Sequence, residues 1–172
     1  MGYTPLDGLM MGTRSGAVDP GILMFVQKQH GISAELLDSM LNQEAGLFGV
    51  SGISSDFREV AQAAMQGSER AQLALDIYSD SIVSAIGGLA VKMGGVDALV
   101  FTAGVGENSA LLRKGVTTGL QCLGLHLDKT RNETGAPDCD LSSVDSPARI
   151  LLIKTQEELL IAQEALRLAH LL

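Results

Sequence analysis

Residues Asp97 to Asn108 read Asp-Ala-Leu-Val-Phe-Thr-Ala-Gly-Val-Gly-Glu-Asn and constrain the fold more than any other stretch. The apolar run Ala98–Phe101 predicts a buried strand, continuing to about Thr102. Gly104 and Gly106 then predict a tight turn, and Glu107-Asn108-Ser109 the start of a helix. Strand, glycine turn and helix N-terminus together suit an anion such as a phosphate, because glycines let backbone N–H groups come close and the helix end is already positive. The stretch therefore points to nucleotide binding, although an ordinary strand-to-helix turn has the same look. It does not fit the dinucleotide fingerprint, since Asn108-Ser109 stand where a third glycine belongs, and no Walker A sequence occurs.

The rest of the chain supports an α/β reading. Asp19 as N-cap and Pro20 at the first helical position start a helix, with Ile22, Phe25 and Val26 as its apolar face and Gly31 as its end. Ser33–Glu35 begin a second helix carried by Leu36, Leu37, Met40 and Leu41, and Asp56 begins a third that runs to about Met65. Residues 42–52 read as a glycine-punctuated connection, and the opening 1–16 as loop plus short strand. Ala71, Leu75, Tyr78, Ile82, Ile86, Leu89 and Met93 step by three and four along the longest helix, Ser68 to Met93. Gly87-Gly88 inside it suggest close packing of another backbone or a ligand, or else are simply tolerated, and Gly94-Gly95 end it. A helix from about Ser109 to Leu123, a polar connection from Asp128 to Pro147, a strand at Arg149–Ile153 and a helix from Thr155 to about Leu171 complete the chain. Strand–helix–strand–helix in this order predicts a right-handed βαβ unit on a parallel sheet.

Composition removes several function classes. A net charge of −8 disfavours nucleic acid and anionic membranes as partners. With 3% aromatic residues and no Trp, base-stacking platforms are not expected. Cys122 and Cys139 have no metal or redox spacing and read as free thiols of a cytoplasmic protein. His30, His126 and His170 are too scattered for a zinc site. The start does not read as a signal peptide, and no apolar run reaches the ~18 residues of a membrane span.

Three further segments could carry chemistry. Gly12-Thr13-Arg14-Ser15-Gly16 puts one Arg between glycines, where its planar fork could take phosphate or carboxylate oxygens, or simply form a surface ion pair. At Ser54–Glu59, Asp56 could cap a helix with Glu59 reaching back, or Asp56 and Arg58 could contact a nucleoside. In Thr155-Gln156-Glu157-Glu158, Thr155 and Glu158 match a capping box, which leaves Glu157 free beyond a strand's carboxyl end. A carboxylate there could hold Mg²⁺ beside substrate phosphates, or merely complement a helix dipole.

Taken in order, residues 1–16 ending in Arg14-Ser15-Gly16, the run Gly49 to Arg58, Phe101 to Asn108, and Glu157-Glu158-Leu159 resemble the acetate kinase family. The resemblance covers nearly the whole chain but only the C-terminal part of the family's protein, so residues 1–172 read as one C-terminal nucleotide-binding domain, with the family's N-terminal domain as missing partner. It implies a ribonuclease-H-like α/β fold of the actin/hexokinase/Hsp70 superfamily. It implies transfer of the ATP γ-phosphoryl to acetate, giving acetyl phosphate and ADP, with Mg²⁺ or Mn²⁺, in a homodimer. Arg14 is then the transition-state arginine; Asp56, Phe57 and Arg58 contact adenosine; Gly104, Val105, Gly106, Glu107 and Asn108 line the nucleotide site; and Glu157 helps hold the metal. Lys154 and Gln156 stand where Pro and Asn are usual. The expectation is that this chain alone phosphorylates no acetate. A propionate or butyrate kinase, and a fragment that only dimerises, are the alternative readings.

Overall fold

The computed structural model describes residues 2–169. Their contacts divide the chain into two compact units, Met1–Gly95 and Val96–Leu172.

The first unit is helical. Helix α1 (Pro20–His30) starts where Asp19 accepts a hydrogen bond from the Gly21 amide and ends at left-handed Gly31, as the sequence predicts. Its expected apolar face, however, is poorly covered: none of its residues is buried, and Ile22 and Phe25 are more than half exposed. Helix α2 (Ala34–Gln43) is capped by Ser33. The segment read as a glycine-rich connection contains a third helix, α3 (Gly46–Ser51). The short strand expected before residue 16 is absent among the described residues, and that stretch is irregular backbone.

Helices α4 (Phe57–Met65) and α5 (Glu69–Met93) supply most of this unit's core. Val60, Ala61, Ala71, Ala74 and Leu75 are buried with Leu47 of α3 and Met10. The Phe57 and Tyr78 rings meet at 5.7 Å in a tilted pair. The α5 stripe is buried only in its first half; Leu89 and Met93 lie open. A Cβ added at Gly87 or Gly88 would meet nothing, so no backbone packs on that glycine pair within the described chain. α5 also corrects the reading that no apolar stretch is long enough to cross a membrane. It holds an 18-residue window that is long and apolar enough by composition. Ala, Gly and Ser occupy positions that charges would otherwise fill, which a search for an unbroken apolar run misses.

The second unit holds the sheet. Strand β1 (Ala98–Phe101) is followed by helices α6 (Ala103–Asn108) and α7 (Ala110–Gly119), a 3-10 turn at Gln121–Leu123, helix α8 (Lys129–Thr134), strands β2 (Cys139–Asp140) and β3 (Arg149–Leu152), and helix α9 (Glu157–Ala169). The strand order is β1-β3-β2. β1 and β3 are parallel, in register from Ala98 opposite Arg149 to Phe101 opposite Leu152. The parallel pair is the one expected; β2, which was not expected, adds an antiparallel edge. β3 is central and buries Ile150 and Leu152. β1 is less buried than expected, because it is a sheet edge: only Phe101 is fully covered and Val100 is half exposed. The core is completed by Leu112, Val116 and Leu120 from the α7 face and by Leu125 and Leu141. The residues expected to extend the last helix to Leu171 lie partly outside those described.

Candidate nucleotide and metal site

The two parallel strands end side by side, and the segments that leave them carry most of the candidate residues of this unit. Open α/β sheets bind ligands at this edge, beyond the strands' carboxyl ends. The turn after β1 differs from the sequence expectation. Its helix begins already at Ala103, so Gly104 and Gly106 lie within α6 instead of in a turn before it. The left-handed residue is Ala103, at φ 59°, a conformation that strains a residue bearing a Cβ. The cause is a local bond: the Ala103 amide donates to Glu107 Oε1 at 2.8 Å. The next helix starts anew at Ser109, whose hydroxyl accepts from the Leu112 amide.

Glu107 Oε1 accepts two more bonds, from the Thr155 amide at 2.8 Å and the Thr155 hydroxyl at 2.9 Å. These bonds to Thr155, with the one from Ala103, hold its pKa below the usual glutamate range. The Thr155 amide is thereby unavailable to the Glu158 side chain in the expected capping box. α9 begins at Glu157, so Thr155 also sits one residue too early to be its N-cap. Asn108 donates to the Gly104 carbonyl at 2.8 Å and closes α6 on itself. Gly104 is exposed, with open space where a side chain would stand. By helix geometry the first amides of α6 have no intrahelical acceptor, and that of Ala103 is already used by Glu107.

Glu157, two residues beyond Thr155, is exposed and forms no ion pair among the described residues. No three His, Cys, Asp or Glu side chains gather into a metal cage among those residues. The donor set therefore fits a hard cation held by one carboxylate with water and phosphate oxygens, the habit of Mg²⁺, and not an all-protein cage.

One residue of this edge escaped the sequence reading. Arg113 on α7 is 3% exposed, and burial lowers its pKa. Its Nη1 donates to the carbonyls of Gly106 and Glu107 at 2.9 and 2.8 Å, Nε to Asn132 Oδ1 at 2.8 Å, and Nη2 to the Asn132 carbonyl at 2.9 Å. It closes the C-terminal end of α6, where carbonyls lack helical partners and a cation is favoured. The signal was present: Leu112, Arg113, Val116, Thr117 and Leu120 form one helical stripe, and a charged residue on it must be paired internally.

In the first unit, Arg14 lies on a loop seated on α3. The amides of Leu47 and Phe48, at the start of α3, donate to the carbonyls of Met11 and Gly12 at 2.9 Å each. Ala45 donates to Thr13, and Ser15 to Leu41. The Arg14 side chain forms no ion pair with any described residue, against the surface-pair reading. Its Nε is buried without a hydrogen-bond partner, and Nη1 reaches only the Met11 sulfur at 3.9 Å.

Asp56 is the N-cap of α4, its Oδ1 accepting from the Arg58 amide at 2.8 Å. The Arg58 side chain folds back onto the same carboxylate, Nε to Oδ1 at 3.1 Å and Nη2 to Oδ2 at 2.6 Å. The Asp56 amide donates to Ser54 Oγ at 3.1 Å, so Ser54 takes the place expected of Glu59, while the Arg58 side chain stays 86% exposed. Phe57 is buried against Tyr78, so its ring serves the core of this unit.

A family model described as the acetokinase family matches residues 1–163. The acetate kinase of Rippkaea orientalis is 52% identical over 164 residues, covering 95% of this chain and 41% of the relative. That of Clostridioides difficile is 46% identical, covering 98% and 42%. The crystal structure of Porphyromonas gingivalis acetate kinase superposes with a TM-score of 0.90 at 42% identity, over 97% of this chain and 42% of that one. A propionate kinase from Francisella tularensis gives 0.88 at 41% identity, over 95% and 42%. The chain belongs to the acetokinase family. Its fold is the α/β, actin/hexokinase/Hsp70-type architecture expected from the motifs. It spans about two fifths of the length of these relatives.

Proposed function

We propose that this chain is the nucleotide-binding C-terminal domain, residues 1–172, of a phosphotransferase that moves the γ-phosphoryl group of ATP to acetate, giving acetyl phosphate and ADP. The carrying observation is the shared edge of β1 and β3, which brings the Gly104–Asn108 segment of α6 next to the turn that leads into Glu157. Phosphoryl transfer needs positioning and neutralisation of spreading negative charge more than covalent help. Arg14 supplies a guanidinium that its own unit does not use. Asp56 and Arg58 offer a fixed polar pair to the adenosine, with Phe57 contributing backbone and support for the helix start. Gly104, Val105, Gly106 and Asn108 line the nucleotide, and Glu157 holds a divalent cation, Mg²⁺ or Mn²⁺. Bound there, that cation would neutralise phosphate charge.

The acceptor's length is a second question. The propionate kinase superposes on this chain about as well as the acetate kinase does, so the matched region does not choose between the two acceptors. The remainder of the family's chain is proposed as the partner that completes the site, and a second copy as the dimer partner. The open apolar residues Leu89, Val91 and Met93 on α5 support association. A cytoplasmic location goes with this reading.

Calorimetric titration of this chain with Mg-ADP tests the nucleotide site. Saturable binding is expected, weakened about tenfold by Arg58→Ala, the loss of roughly one polar contact. Absence of saturable binding, or an Arg58→Ala chain that binds equally well, counts against it.

A further inference from the structure

An acid beside an anion site repels its ligand, so the carboxylate of Glu107 needs another reason to be there. Three donors on a single oxygen supply one. Ala103 belongs to the turn after β1 and Thr155 to the turn after β3, 48 residues away from Glu107 in sequence. No basic side chain forms an ion pair with Glu107 among the described residues. Its main chain is gripped separately, by buried Arg113 on the Gly106 and Glu107 carbonyls. The side chain therefore projects from a fixed base to a second fixed segment. The turn after β3 is tethered again at Lys154, whose amide donates to Asp138 Oδ1 at 3.1 Å.

We propose that Glu107 is a positioning residue, a strut that makes the turns after β1 and β3 open and close as one unit. Building on the function proposed above, the strut fixes the distance between the nucleotide turn and Glu157, so that cation and nucleotide bind cooperatively. Glu107 acts through Ala103 and Thr155 without touching the ligand.

Backbone amide hydrogen exchange, followed by NMR on this chain, tests the strut without any ligand. In Glu107→Ala, exchange at Ala103 and at Thr155 should both accelerate, by at least about tenfold, while Val116 in the core of α7 keeps its protection. Glu107→Gln should preserve protection at both turns, since the amide oxygen accepts the same three bonds. Acceleration at one turn only, or no acceleration at either, overturns the proposal. The second readout is the ratio of ADP affinities with and without Mg²⁺. It should fall toward one in Glu107→Ala and survive in Glu107→Gln; an unchanged ratio in Glu107→Ala, with both turns loosened, overturns the coupling. If the unaltered chain binds no ADP, the nucleotide reading fails instead, and exchange at the two turns alone decides the strut.

Discussion

The loop carrying Arg14 is held almost entirely by main-chain bonds, whereas the turn carrying Glu107 is held by side chains. In the first unit the carbonyls of residues 11–13 take up free amides before and at the start of α3, and any side chains of suitable size would leave those bonds intact. What that arrangement cannot accept is bulk at the contact. In the second unit, Glu107, Arg113 and Asn132 hold the turn through side-chain bonds that truncation removes. The first region should therefore tolerate side-chain truncation and fail on added atoms. The second should show the reverse.

The largest break is expected at Arg113. Arg113→Ala removes four hydrogen bonds and takes the donor from Asn132 Oδ1, the Asn132 carbonyl and two α6 carbonyls beside a cavity. Losing a buried charged hydrogen-bonding centre costs about 3–5 kcal/mol. Urea unfolding followed by far-ultraviolet circular dichroism should show that loss. Arg113→Lys should recover only a small part, since an ammonium cannot reproduce the fork. A midpoint unchanged by Arg113→Ala would mean that side chains do not hold this turn.

The opposite failure is expected at Gly46, the first residue of α3. It has φ +65°, and an added Cβ would run into the Met11 and Arg14 backbone. Gly46→Ala combines left-handed strain with that clash, at a cost of about 2–3 kcal/mol. Truncating a neighbouring exposed side chain, as in Phe48→Ala, should cost much less. The same unfolding experiment compares the two. Equal losses would erase the distinction between the regions.

This contrast also explains what could be read from the sequence. The caps at Asp19, Ser33, Asp56, Ser68 and Ser109 are local bonds to amides two or three residues on, and each starts a helix where its residue type predicts. The β1 and β3 runs were legible because their apolar residues are contiguous. α3 was not: Gly-Leu-Phe-Gly-Val-Ser has poor helix propensity, and its first amides are satisfied by a loop some 35 residues earlier. β2 has only two residues and carries no period to detect. α8 is polar throughout, although Asp128 does cap it through the Arg131 amide. The capping box at Thr155 matched by type and failed because α9 starts only at Glu157 and a distant carboxylate takes up the Thr155 amide. Of the candidate site, residue types and order along the chain were legible. The division of labour between Glu107, which bonds to Thr155, and Glu157, which forms no ion pair among the described residues, depends on contacts across the sheet edge that spacing does not encode.

The smallest effect sharpens the comparison at a surface pair, where side chains of the first unit do form bonds. The Arg58 side chain, and then its amide, lower the Asp56 pKa from 3.8 to about 2. A carboxylate depressed in the folded state stabilises above its unfolded value, near 3.9, and that contribution is lost as pH falls through about 2. The window is therefore roughly pH 4 down to 2, and above it the contribution of this pair does not change with pH. NMR titration of the Asp56 carboxyl should give its midpoint near 2 in the unaltered chain. In Arg58→Ala the midpoint should rise toward the ordinary value without reaching it, because the amide at position 58 still donates. An unaltered chain that titrates where Arg58→Ala does would show the Arg58 fork to be unoccupied in solution. The exposed guanidinium would then be free from the outset to meet a ligand.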